Sequence, residues 1–196
     1  MKKFYLKLAV YIVLTIAILT LYSSCYAITP SFTYKCSGGV SGYYYINEGT
    51  SNVFYSLITA AAHNWEYTGY GDNPVYLTIK SNNDNTIIDI YNEYGTYWDN
   101  PSILGETIHR DGSANRVDPY LNNWDYSEIH LNETLMSSNK ITNSHAQGTI
   151  AHEMGHAFGL AHYNNNPTGS IMCQSSVPRI VQTVQQEDNE AINLKY

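Results

Sequence analysis

The segment from His152 to His162, HEMGHAFGLAH, constrains the fold of this chain most strongly. On an α-helix, His152 and His156 lie one turn apart, so both imidazoles leave the same face. His162 falls outside that face, and a helix that continued through it would carry its ring away from the other two. Gly159 can adopt the left-handed backbone conformation that ends a helix. The spacing therefore predicts a helix ending at Gly159 and a turn that returns His162 to the other histidines.

Three converging imidazoles form a ligand set that suits zinc. Catalytic zinc sites use three protein ligands and leave one position for water, whose pKa falls to about 7. Glu153 is placed to accept the proton of that water as a general base. The five specified residues would occur at this spacing by chance in roughly one chain in ten thousand, which favours a zinc site over a helix that is merely rich in histidine. We therefore predict peptide-bond hydrolysis with one zinc ion bound by His152, His156 and His162.

The remaining patterns predict a sheet with helices packed on it. Aromatic and β-branched content, or alternation of apolar and polar residues, predicts strands at residues 42–47, 74–80, 86–91, 106–110 and 127–132. A helix capped by Thr50 or Ser51 follows the first strand, with an apolar stripe from Val53 to Trp65. The helix that carries the histidines begins with Asn143 or Ser144 as its cap, and a terminal helix closes the chain. The expected fold class is mixed α/β with two long helices.

Residues 1–27 have the pattern of a secretory signal peptide. Three lysines precede an apolar run at residues 8–21, which is too short for a comfortable membrane span. We expect cleavage after Ala27, which leaves residues 28–196 as a single domain. Two alternatives stay open: the leader remains as an uncleaved anchor, or a lipid is attached at Cys25, although Tyr22 stands where bacterial lipoprotein leaders carry an aliphatic residue.

Cleavage would leave a strongly acidic protein. Cleavage of the leader removes three of the ten Lys and Arg residues and none of the 17 Asp and Glu residues, so the formal charge of the remaining chain is −10. Such a charge argues against a nucleic acid partner. We expect a secreted monomer without stable membrane association.

Two cysteines, Cys36 and Cys173, remain after cleavage. In an exported chain the default expectation is one disulfide between them. The alternatives are free thiols, or a Cys36 thiolate that blocks the zinc.

The full string HExxHxxGxxH, followed by Met172 in the sequence SIM, resembles the metzincin metallopeptidases, and within them the matrixins. The resemblance implies that Met172 forms a turn beneath the metal whose thioether is an apolar floor. It also implies that an extended polypeptide substrate pairs in antiparallel fashion along residues 104–110, and that residues 173–178 shape a pocket beyond the scissile bond.

The chain also departs from the matrixin pattern. Matrixin propeptides cap the zinc with a cysteine, and only a few residues separate Ala27 from the first strand. Many matrixins hold a second, structural zinc, and His109 and His130 lie on segments that resemble two of its ligand positions. The accompanying His-x-Asp pair is not evident, so we interpret both histidines, with His63 and His145, as ordinary surface residues. A structural calcium ion or a second zinc ion is without support.

Two hypotheses follow from these patterns. The first is a secreted zinc endopeptidase, and its lysine-led leader and small single domain suit a bacterial protein. The second is a catalytically silent, zinc-stabilised binding protein that engages a polypeptide partner. Glu153 favours the first, because a metal scaffold alone has no use for a carboxylate at that position.

Overall fold

A five-stranded mixed sheet forms the centre of the computed structural model, which describes residues 28–94, 97–138, 141–174 and 180–196. The strands are β1 (Ser41–Ile46), β2 (Tyr76–Lys80), β3 (Thr86–Glu93), β4 (Gly105–Arg110) and β5 (Tyr126–Asn132). Their order across the sheet is β2-β1-β3-β5-β4. Each lies within one or two residues of a predicted strand, so the mixed α/β architecture predicted from the sequence is confirmed.

Strand β4 is the edge strand nearest the histidine helix. The first four strands in the sheet order are parallel, whereas β4 runs antiparallel to β5, with Gly105 opposite Leu131 and Arg110 opposite Tyr126. Only one side of β4 is therefore paired within the sheet. This is the strand that the resemblance assigns to substrate binding.

Four helices accompany the sheet in the described residues. They are α1 (Asn52–Glu66), α2 (Glu133–Met136), α3 (Asn143–Ala157) and α4 (Gln186–Lys195). Ser51, one of the two predicted caps, caps α1 by accepting a hydrogen bond from the amide of Phe54. Thr142 caps α3 instead of Asn143 or Ser144. The short helix α2 was not predicted from the sequence.

The two long helices pack together against the sheet, and Trp65 joins them. Its side chain is fully buried, and its indole Nε1 donates a hydrogen bond of 2.8 Å to the carbonyl of Ala151 on α3. The ring also meets Phe158 edge to face at 5.3 Å. Val53, predicted to begin the buried stripe of α1, is 54% exposed. The stripe therefore begins one residue later, at Phe54.

The predicted disulfide is wrong, because both cysteines are buried free thiols. Cys36 pairs in a short bridge with Trp124, and its thiol donates to the carbonyl of Asp125. Burial raises the pKa of the Cys36 thiol to about 11. Cys173, which directly follows Met172, lies in a different segment from Cys36.

The predicted leader, residues 1–27, lies outside the described residues, and cleavage after Ala27 stays a prediction. Within the part of the chain that the structure describes, no helix combines the length and the apolar character needed to cross a membrane.

Substitution of Trp65 tests how much its contact with α3 contributes to stability. We expect Trp65→Ala to lower the free energy of unfolding by about 3–5 kcal/mol, because it removes a large buried ring. Trp65→Phe should cost about 1–2 kcal/mol, since it leaves the Ala151 carbonyl without this donor. Urea denaturation measures both, with the exposed Val53→Ala expected to change stability by no more than about 0.5 kcal/mol. Equal effects of all three variants would contradict this role.

Candidate metal centre

Three imidazoles meet at one point at the end of α3. The Nε2 atom of His156 lies 3.1 Å from Nε2 of His152 and 3.1 Å from Nε2 of His162. These are the only three His, Cys, Asp or Glu residues in the described part of the chain whose ligand atoms cluster closely enough to hold a metal ion. The structure thus brings together the three predicted ligands.

The return of His162 depends on Gly159. The helix ends at Ala157, and Gly159 has a φ of 95°, a conformation that strains residues with a side chain. Its amide donates to the carbonyl of His156, and the next amide, of Leu160, donates to the carbonyl of Gly155. These bonds close the end of the helix as a Gly-terminated cap does. The predicted termination at this glycine agrees with the structure.

The hydrogen bonds of the histidine rings fit a metal. Nδ1 of His152 lies 2.9 Å from the carbonyl oxygen of Ile171, and Nδ1 of His156 lies 2.8 Å from that of Leu160. A carbonyl only accepts, so each Nδ1 carries the hydrogen and each Nε2 keeps its lone pair. Those lone pairs point to the common centre. The donor set therefore matches zinc, whose histidine ligands are oriented in this way by their second nitrogen.

Met172, the methionine of the sequence SIM, packs against α3. It is fully buried, and its sulfur packs against Gly155, one residue before the second ligand. A side chain at position 155 would collide with Met172 and crowd Trp65. The absence of a side chain at Gly155 therefore allows Met172 to pack directly against the helix.

Asp188, on α4, holds the turn that contains Met172. Its carboxylate accepts hydrogen bonds from the hydroxyls of Ser170 and Thr29, at 2.6 and 2.7 Å, and from the amides of Ile171 and Gln185, at 2.8 and 2.9 Å. Ile171 in turn accepts the hydrogen bond from His152. Asp188 is thus linked to a ligand imidazole through a single residue. No sequence pattern marks Asp188 as part of the site.

An open cleft of about 1350 Å³ leads to the histidines. Strand β4 forms one wall, and residues 116–120 and Phe32 form another. The Phe32 ring lies nearly parallel to the imidazole of His156, at 5.8 Å. The preceding residue, Ser31, pairs with Leu160 in an antiparallel bridge. This contribution of the segment after the predicted cleavage point was not predicted, because no local sequence pattern marks it.

Glu153 lines the cleft beside the histidines and is 6% exposed. The hydroxyl of Thr107, on β4, lies 2.8 Å from its Oε2 atom. The carboxylate is therefore placed at the cleft wall between α3 and β4, next to the ligand His152.

The interpretation of His109 and His130 as surface residues is wrong, because both are buried. Burial lowers the pKa of His109 to about 3, and the ring lies 3.0 Å from the hydroxyl of Ser127. The His130 ring is stacked between Tyr91 and Tyr97 and lies 2.9 Å from Glu93. Neither belongs to the histidine cluster at the end of α3. His63 is exposed and His145 is half-buried.

The predicted pocket wall at residues 173–178 lies mostly outside the described residues, which include only 173 and 174 of it. Gln174, two residues after Met172, lines the cleft.

Comparison with known proteins gives a distant likeness. No family model matches the sequence, and no curated protein matches it. Among solved structures, high choriolytic enzyme 1, a hatching enzyme zinc-protease from Oryzias latipes, the medaka fish, is similar over 84% of this chain and 93% of its own. The sequence identity is 16% and the TM-score is 0.46, so we draw no functional conclusion from this likeness.

The Asp188 network predicts a loss of metal affinity when its acceptors are removed. In Asp188→Asn, the amide group cannot accept all four hydrogen bonds, so the turn that supports His152 should loosen. We expect zinc affinity to fall roughly 10- to 100-fold, as for other residues that orient metal ligands. Competition with a chromophoric chelator measures this affinity. Asp72→Asn, at an exposed position, is the control, and an unchanged affinity in Asp188→Asn would refute the link.

Proposed function

We propose that this chain is a secreted, zinc-dependent endopeptidase of the matrixin-like metzincin type. The observation that carries the proposal is the convergence of three imidazole Nε2 atoms, with the Glu153 carboxylate beside them, in the lining of an open cleft. The sequence resemblance supports the metzincin and matrixin assignments. The leader pattern supports secretion.

In this mechanism His152, His156 and His162 would hold the zinc. A bound zinc would supply Lewis acidity, which acidifies water and polarises the substrate carbonyl. Glu153 then accepts the proton of the attacking water and returns it to the nitrogen of the leaving amine. No residue matches the tyrosine that astacin-like enzymes carry two positions after the methionine, since Gln174 stands there.

The substrate in this proposal is an extended polypeptide that pairs with β4. In an antiparallel strand the backbone groups of alternate residues point to opposite sides. The carbonyl of Arg110 accepts a hydrogen bond from Asp125 on the β5 side, whereas the carbonyl of His109 accepts one from Val117 on the other side. By this alternation, the backbone groups of Gly105 and Thr107 point to the outer edge, where a peptide can add as a further strand.

The alternative function is a zinc-stabilised binding protein that does not cut its partner. A polypeptide partner that is bound but not cut could pair with the same outer edge of β4. The placement of Glu153 at the cleft wall, beside the ligands, favours the peptidase. Binding of a polypeptide with no turnover at high protein concentration would support the alternative instead.

Removal of Glu153 or of zinc tests the proposed reaction. We expect Glu153→Ala to lower the hydrolysis of a generic protein substrate by about 10²- to 10⁴-fold, because the general base is lost. A chelator should abolish hydrolysis, and added zinc should restore it. The full chain, expressed with its leader, provides the protein, and Glu48→Ala, at an exposed glutamate, is the matched control. Activity that survives both treatments would remove the hypothesis.

Acid should release the metal. The imidazoles bind zinc only when neutral, and the ordinary pKa of histidine is about 6.5, so protons compete increasingly with zinc as the pH falls below that value. We expect zinc content and activity to fall together between about pH 7 and about pH 4.5. Elemental analysis after dialysis measures the zinc. A constant zinc content well below the histidine pKa would contradict the ligand assignment.

A further inference from the structure

Strand β4 contacts Glu153 directly, in addition to forming the cleft wall. The Thr107 hydroxyl lies 2.8 Å from Oε2 of Glu153 and 3.0 Å from the backbone carbonyl oxygen of the same residue. Thr107 is half-buried and separated from Glu153 by 46 positions in the sequence. The contact therefore exists only in the folded chain.

The single hydrogen of the Thr107 hydroxyl favours the carboxylate. The carbonyl of Glu153 already belongs to the hydrogen-bond ladder of α3, which continues to Ala157. Glu153 is only 6% exposed, and its carboxylate, ionised in the proposed role as a base, gains more from a donor, because a hydrogen bond to an ionised group is stronger than one to a neutral group. The hydroxyl therefore anchors one carboxylate oxygen, Oε2.

Gly105 lies on the same face of β4 and brings the strand close to this side chain. A Cβ atom at position 105 would lie 3.1 Å from Cγ of Glu153 and 3.3 Å from the backbone oxygen of His130. The backbone at His130 belongs to β5 and cannot move freely. The lack of a side chain at Gly105 therefore lets β4 approach until the Thr107 hydroxyl reaches the carboxylate.

We propose that Thr107 is a positioning residue for the general base, and this inference rests on the proposed function. A glutamate side chain has several rotatable bonds, and ordering it costs conformational entropy. With Oε2 anchored on β4, the carboxylate keeps one orientation toward the cleft. Proton transfer depends on hydrogen-bond geometry, so the hydroxyl acts on the rate through Glu153 and not through contact with the substrate.

The test compares Thr107→Val, which keeps the shape but removes the hydroxyl, with Thr107→Ser, which keeps the hydroxyl. We expect Thr107→Val to lower kcat roughly 10- to 100-fold with little change in KM or zinc content, as removal of a supporting hydrogen bond does elsewhere. Thr107→Ser should recover kcat to within a few-fold of the unchanged protein. Thr78→Val makes the same chemical change at an exposed position on β2, at the opposite edge of the sheet, and should keep full activity.

A second readout does not depend on turnover. Acetohydroxamate binds zinc and presents a proton to a neighbouring carboxylate, so its Kd for the zinc-loaded protein reports the placement of Glu153. We expect Thr107→Val to weaken this Kd roughly 3- to 10-fold, with Thr107→Ser close to the unchanged protein. Isothermal titration calorimetry measures the Kd.

The outcomes separate this inference from the proposed function. If the zinc-loaded protein hydrolyses no polypeptide, the proposed peptidase function is overturned. The acetohydroxamate Kd values of the Thr107 variants still decide whether Thr107 positions Glu153. Equal kcat and equal Kd for Thr107→Val and the unchanged protein overturn the positioning role. A loss of activity shared by Thr107→Val and Thr107→Ser, with the hydroxyl retained in the second, also overturns it.

Discussion

The three imidazoles can share one ion only because the backbone reverses at Gly159. A regular helix would carry His162 away from His156 as its axis advances. The positive φ of Gly159 ends the helix, and the carbonyl of Leu160, the next residue, accepts the Nδ1 hydrogen of His156. The same turn therefore both returns His162 to the other two histidines and fixes the tautomer of His156. The rest of the site is built around this turn.

Distant parts of the chain support this centre by contacts that local sequence does not encode. Asp188 holds the turn at Ile171, whose carbonyl orients His152, and the same carboxylate accepts from Thr29 near the predicted cleavage point. Phe32 covers the face of His156. Both ends of the described chain thus converge on the ligands. Burying polar groups is costly unless they are hydrogen-bonded, and these contacts offset that cost.

The sequence predicts those features that depend on short spacings. The five strands, the two long helices and the turn at Gly159 each follow from periodicity or from a single residue type. Features that depend on contacts between residues far apart in the sequence were either not predicted or predicted wrongly. A lone histidine carries no burial signal in the sequence, yet aromatic rings cover both His109 and His130, from Phe32 and Trp124 in the first case and from Tyr91 and Tyr97 in the second. The disulfide was inferred from composition, and composition does not report whether two thiols face each other. Thr107 has no distinguishing pattern on β4.

The register of β4 against β5 links substrate binding to the base. Side chains alternate between faces along a strand, so Gly105 and Thr107 share the face that meets α3. A slip of one residue would place Glu106 or Ile108 against Glu153, bringing a second carboxylate or an apolar group where a donor now stands. The same slip would reverse which backbone groups point to the outer edge. In the proposed mechanism, one register therefore sets both where a peptide pairs and how the carboxylate is held.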